Sequence, residues 1–279
     1  MNQIERNRKT DQAWNRLHNR LDKDGLLPDA SHRSPLYPLV LKWGAMAAVA
    51  LFCIYFSFSY FSTSNVMEGD LLTQQNNGAG TLVTALEDGS IVYLDGKSSL
   101  QYPEHFSSDI RKVNLQGNAL FDVSGNRSRP FVIETQDVRV EVLGTAFNVK
   151  SNDTAPFELS VQRGKVKVIL KKSGQDVYVK AGEMVTLLSQ GLHLSDITDH
   201  NQFSHYTKNM RFKDECLANI LRAINLREQT MHLQTSPELG ERKLTVSFSD
   251  NTPETMVKLI CLALNLKYTR EGDILTIHE

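Results

Sequence analysis

The hydrophobic pattern of this chain is broken by one run with no polar face at all, residues 36–61, LYPLVLKWGAMAAVALFCIYFSFSYF. No charged side chain falls between Trp43 and Val66, and a helix needs about 20 apolar residues to cross a bilayer core. A soluble core helix of that length keeps a polar face, whereas only Gly44, Ser57, Ser59 and Ser62 interrupt this one. The run predicts a single transmembrane helix over 36–61. Lys42 can snorkel beside Trp43 at one interface, and Tyr55, Phe56, Phe58, Tyr60 and Phe61 mark the other.

Either side of that run the periodicity differs. Ahead of it, Ala13, Trp14, Leu17 and Leu21 share one face of a short amphipathic helix, started by Thr10 or Asp11 and stopped by Gly25. Such a helix is marginal alone, because isolated helices below about 12–15 residues are unstable in water. The tail, 1–35, therefore needs a partner for this face, or else lies on the membrane surface with Arg16, Arg20 and Lys23 at headgroups. Beyond the run, 62–80 is rich in Ser, Asn, Gln and Gly and reads as a spacer.

From 81 to 188 the period becomes two. Val138, Val140 and Val142 alternate with Asp137, Arg139 and Glu141, and Val166, Val168 and Leu170 form a second such series. Asp88-Gly89, Asp95-Gly96, Arg163-Gly164 and Ser173-Gly174 punctuate the runs. An all-β domain of two packed, sandwich-like layers follows. After a polar linker at 189–209, residues 210–279 alternate strand and helix signals. Leu217, Ile220, Leu221 and Ile224 stripe one helix. Thr252-Pro253-Glu254 opens another, which carries Val257, Ile260, Cys261 and Leu264 inward. This predicts a small α+β domain of two β-α-β halves.

Charge sets the orientation. Arg6, Arg8, Lys9, Arg16, Arg20, Lys23, Arg33 and Lys42 precede the apolar run, and no Lys or Arg follows it until Lys97. The positive-inside rule puts the N-terminus in the cytoplasm and the rest across the membrane. A cleaved signal peptide would have a shorter apolar region nearer residue 1, and Ser62-Thr63-Ser64 imitates its cleavage site only faintly. A net charge of -1 over 279 residues gives no global field for nucleic acid.

Candidate chemistry is sparse. There is no GxSxG, GxxxxGK[ST] or HExxH, so neither an enzyme nor a cofactor is expected. Three cysteines, Cys53, Cys216 and Cys261, have no zinc spacing; the last two fall in apolar helical patterns, as buried thiols or a bridge across an oxidising compartment. His200 and His205 with Asp196 and Asp199 lie in the polar linker without fixed geometry for a metal.

The series Leu86-Glu87-Asp88-Gly89-Ser90-Ile91-Val92-Tyr93-Leu94, Tyr102-Pro103, Arg111, 115–123 (LQGNALFDV), Pro130-Phe131 and 142–149 (VLGTAFNV) resembles the FecR family. The part from Phe212 onward is similar to that family's small C-terminal domain, itself like the short N-terminal domain of secretins and TonB-dependent transducers. The resemblance implies an inner-membrane anti-sigma factor. Its cytoplasmic face would hold an extracytoplasmic-function sigma factor through Ala13, Trp14, Leu17 and Leu21, and its periplasmic C-terminal domain would hear an outer-membrane TonB-dependent transducer. Strands at Phe212 and at Ile274–Ile277 are expected to leave an open sheet edge for the transducer, with Phe212, Ile274, Thr276 and Ile277 in contact. Relatives often have a longer cytoplasmic domain than the 35 residues here, and a Trp and Gly where this chain has Lys208-Asn209-Met210.

In some members of that family the bond between Gly and Thr of the GTAF motif breaks spontaneously, which makes Gly144-Thr145 a candidate self-cleavage site. Glycine leaves the carbonyl open and threonine supplies a neighbouring nucleophile. The plainer reading is a bulge at Gly144 and a cross-strand pair at Thr145. Two other functions compete: an envelope or secretion assembly component, for which no barrel or secretin segment follows Glu279, and a periplasmic sensor with a ligand pocket in the all-β domain.

Overall fold

The computed structural model describes residues 71–152, 155–228 and 230–279, together with several positions between 13 and 24. The chain divides into two units, Met1–Val66 and Met67–Glu279. In the first, the described positions from Ala13 to Lys23 are helical, and the backbone N–H of Asp24 donates to Arg20 O at 2.9 Å. Trp14, Leu21 and the apolar run at 36–61 lie outside the described residues. Among the described residues no helix is long and apolar enough to cross a membrane.

The second unit is β-rich. Strands β1 (Leu71–Asn76), β2 (Thr81–Ala85), β3 (Ile91–Leu94), β4 (Ser98–Pro103) and β5 (Arg111–Asp122) come first. Then follow β6 (Phe131–Glu134), β7 (Val138–Val142), β8 (Ala146–Ser151), β9 (Glu158–Arg163), β10 (Lys165–Leu170), β11 (Asp176–Lys180), β12 (Glu183–Leu188) and β13 (Gly191–Asp196). One layer runs β1-β4-β5-β6-β7-β10-β11, and the other contains β13-β12-β9-β8-β5-β3-β2. The 12-residue β5 belongs to both: its first half pairs with β4 and β6, its second with β3 and β8. Gly117 sits where it changes layer, at φ 97°, and a Cβ there would come within 2.8 Å of Ser98 Cα. Only glycine accepts both conditions. The expected two layers are thus one sheet folded over on itself, barrel-like rather than two separate sheets.

Alternation fills the space between the layers. Val138, Val140, Val142, Val166 and Val168 are buried, with Phe121 stacked on Phe147 at 5.5 Å between ring centres. A buried ion pair anchors one end of this core. Arg111 Nη1 reaches Asp88 Oδ2 at 2.6 Å and Ser124 O at 2.9 Å, while its guanidinium lies 5.4 Å from the Phe131 ring centre. Asp88 in turn accepts from Ser90 N and Oγ, which closes the turn at Gly89.

The remaining elements are α1 (His205–Lys208), β14 (Asn209–Cys216), α2 (Leu217–Arg227), β15 (His232–Thr235), α3 (Pro237–Gly240), β16 (Lys243–Ser249), α4 (Pro253–Leu264), β17 (Lys267–Glu271) and β18 (Ile274–His278). Helix α4 starts as its sequence predicts, with Thr252 Oγ1 accepting from Thr255 N and Pro253 in the first turn, and it ends at left-handed Asn265. Cys261 is a buried free thiol and Cys216 a half-buried one.

These elements do not form a detached domain. Strand β14 joins the sheet of the first thirteen strands, parallel to β2, with Met210 opposite Thr81 and Phe212 opposite Val83. Val83, Ile91, Tyr93 and Leu120 point away from the sandwich interior into a second core with Leu217, Ile220, Leu221, Ile224, Phe248 and Ile260. One layer is therefore buried on both faces, which accounts for the unbroken apolar run of β3. The described parts of the polar stretches expected as spacer and linker are structured too. Residues 71–76 form β1; 191–196 form β13, and Ile197, Phe203 and Tyr206 bury themselves in the second core.

Candidate functional site

Gly144-Thr145 occupies a corner where the chain crosses between layers, from β7 to β8. The neighbouring crossing, β9 to β10, passes through Gly164, and the loop after β5 brings Gly125 alongside. Gly144 has φ 157°, and a Cβ on it would lie 2.6 Å from Gly125 Cα. A Cβ on Gly164, at φ 92°, would lie 3.0 Å from Thr145 Oγ1 and 3.1 Å from Gly144 O. The Gly125 and Gly164 backbones thus flank this one peptide bond, and a side chain on Gly144 or Gly164 would push it out of place. Thr145 is buried, and its hydroxyl donates to Lys165 O at 3.2 Å, a neutral acceptor rather than a base. Gly144 and Thr145 are among the residues that line a cleft of about 360 Å³, with Pro130, Glu141, Leu143, Lys165, Lys167 and Tyr178. Lys165 Nζ lies 4.0 Å from the Tyr178 ring centre.

The chemistry this corner can support is an N-to-O acyl shift. Thr145 Oγ1 would bond to the Gly144 carbonyl carbon, the Gly144 C–Thr145 N bond would break, and the hydroxyl proton would end on the Thr145 nitrogen. Water would then open the ester. Scission here would leave the halves knit together, because β7 stays paired with β10 and β5 with β8.

Of the residues expected to bind a sigma factor, Ala13 and Leu17 are described and exposed, Leu17 at 49%. They lie four residues apart along helical backbone, which places them on one face.

The residues expected to offer a free strand edge do not sit at edges. Phe212 lies in β14, paired on both sides by β2 and β16, and is 1% exposed. Ile274, Thr276 and Ile277 lie in β18, the middle strand of a three-stranded sheet ordered β15-β18-β17. Ile277 is buried, Thr276 half-buried, and only Ile274 is exposed. The reason is topological: chain order put β18 last, but its parallel pairing with β15 makes it central. The edges of that sheet are β15 and β17, and β17 is exposed over most of its length.

Hydrogen bonds that no local sequence signal marks hold the two parts of the second unit together. Tyr206 Oη donates to Asn148 Oδ1 at 2.8 Å, and burial holds this phenol above its ordinary range. Tyr93 Oη donates to Ala223 O at 3.3 Å, and Ala85 N donates to Glu215 Oε2 at 3.3 Å. Arg211 Nη2 donates to Asn76 Oδ1 at 2.9 Å. No local motif marks such pairs, since their partners are 58 to 135 positions apart in the sequence.

A ligand pocket in the β-rich part finds less support. The interior between the layers is filled by the core, and a cleft of about 590 Å³ on the outer face is lined by Lys112, Asn114, Glu134, Arg139, Ile169, Leu170 and Lys171. Its one carboxylate, Glu134, is already paired with Arg139 and Lys171, each at 2.8 Å.

Residues 75–167, from the end of β1 into β10, match the family model described as FecR protein. A FecR family domain therefore occupies the first part of the sandwich. The chain is also similar to two crystal structures of a proposed anti-sigma factor from Parabacteroides distasonis ATCC 8503. Each has 21% sequence identity and a TM-score of 0.46, and covers 75% of this chain and 99% of that one. No curated protein matches the chain.

Proposed function

We propose that this protein is a FecR-type anti-sigma factor anchored in the inner membrane by residues 36–61. The N-terminal tail holds an extracytoplasmic-function sigma factor against Ala13, Trp14, Leu17 and Leu21, and the unit from Met67 onward lies in the periplasm. There it receives a signal from the N-terminal domain of an outer-membrane TonB-dependent transducer and relays it to genes of nutrient uptake. The observation that carries this reading is the FecR match at 75–167. The basic residues ahead of the apolar run and the exposed Ala13–Leu17 face support it.

Because β14 and β18 are central strands, the transducer would pair with an edge of the small sheet instead, and β17 (Lys267–Glu271) is the exposed one. The tail reading is tested by capture with residues 1–35. Recovery of an extracytoplasmic-function sigma factor supports it, and equal recovery by the Trp14→Ala, Leu17→Ala tail would overturn the assigned face. Self-cleavage at Gly144-Thr145 belongs to the same reading, as a step that severs the covalent link without separating the halves.

A further inference from the structure

Strand β1 is an edge strand that buries a single residue, as β11 and β13 are, but in β1 that residue is polar rather than apolar. It lies at the edge of its layer, pairs only with β4 from Leu71↔Pro103 to Asn76↔Ser98, and buries one residue of its six. Leu71 and Leu72 are exposed, at 38% and 44%, so the hydrophobic core does little to retain it. The buried residue is Asn76. Its Nδ2 donates to Gly80 O at 2.6 Å and Leu94 O at 2.9 Å, its Oδ1 accepts from Gly78 N at 3.1 Å, and its carbonyl accepts from Lys97 N at 2.7 Å.

The remaining bond to Oδ1 comes from Arg211 Nη2, on β14. Arg211 also packs along the loop after β1: a Cβ on Gly78 would lie 3.3 Å from its Nη1, and one on Gly80 would lie 3.2 Å from Asn209 O. The pin at the end of β1 is thus completed by the strand that begins the C-terminal part of the unit. β1 is also the element through which the chain arrives from Met1–Val66.

We propose that β1 is a detachable strap, and that Arg211 is the positioning residue that keeps it docked. Displacing β14 withdraws the guanidinium from Asn76, and β1, with little buried area of its own, leaves β4. The position of the C-terminal elements is thereby converted into a length of free chain that follows the N-terminal unit in sequence. The effect on the tail rests on the anti-sigma reading above; the docking of β1 does not.

Amide hydrogen exchange on the full chain in nanodiscs tests the docking. Arg211→Ala should speed exchange of 71–76 at least tenfold while 91–94 and 117–122 keep their wild-type rates. Arg211→Lys, which restores a cationic donor, should fall between. Unchanged exchange at 71–76 in Arg211→Ala overturns the proposal, and so does a rise spread evenly over 81–279, which marks general destabilisation. In cells the same variant should switch on the sigma-dependent reporter without inducer. A silent reporter with fast β1 exchange, in a strain where the tail still captures its sigma factor, overturns the relay. Failure of capture itself would count against the anti-sigma reading instead, and the exchange data would still decide the strap.

Discussion

Ile91 and Val92 are adjacent in β3 and both fully buried, yet they face different cores, so truncating each should loosen a different part of the molecule. Val92 points between the two layers, and Ile91 points into the second core, which holds the apolar stripe of helix α2. Ile91→Ala removes three carbons and Val92→Ala two, or about 2.4 and 1.6 kcal/mol at roughly 0.8 kcal/mol per methylene before any cavity cost. Incomplete collapse of the site brings Ile→Ala into the range of about 2–5 kcal/mol. At about 1.4 kcal/mol per factor of ten, Ile91→Ala should raise local opening of α2 and β14 by about fiftyfold or more. Exchange mass spectrometry of residues 67–279 reads this directly. Ile91→Ala should accelerate 209–227 while leaving 131–142 unchanged, and Val92→Ala should do the reverse. Equal acceleration of 131–142 by both variants would refute the two-core description. So would an Ile91→Ala chain with wild-type exchange in α2.

Arg111→Met leaves the Asp88 carboxylate buried without its cation and should cost about 3–5 kcal/mol in urea unfolding, most of it recovered in Asp88→Asn, Arg111→Met; a single variant as stable as wild type would contradict the assigned pair. Burial alone would raise the Glu134 pKa, but hydrogen bonds and charge from Lys171 and Arg139 prevail and hold it below its ordinary 4.5. A lowered carboxylate stabilises the fold above its unfolded pKa and loses that contribution as pH falls through the folded value. Glu134→Gln should therefore be less stable than wild type at pH 7, with the gap closing in acid; a gap that widens below pH 4.5 would reverse the sign. If the Gly144-Thr145 bond breaks by acyl shift, Thr145→Ala should stay intact on denaturing gels and Thr145→Ser should cleave, with both wild-type fragments eluting together on native size exclusion. Thr276→Pro removes a donor from the central strand β18 and should unfold the small sheet by circular dichroism; a folded variant would argue against that placement.

The sequence by itself determined the local elements. Alternation at 138–142 and 166–170, the Thr252-Pro253 helix start and the stripe Leu217, Ile220, Leu221 and Ile224 all appear where their periods put them, because each reports which side of a local element leaves water. The motif series also sufficed to find the FecR domain. What periodicity does not encode is the partner on the buried side. That β14 would lie parallel to β2 across some 130 positions, that β3 would be buried on both faces and that β18 would end up between β15 and β17 were decided by how the layers pack. The same holds for polar residues: Asn76, Asn148, Tyr206 and Arg211 look like surface positions in a linear reading, and only the fold brings their hydrogen-bonding groups within 2.8–2.9 Å of one another. A buried polar group must find a partner wherever tertiary structure supplies one, and nothing in its sequence neighbours says where that is.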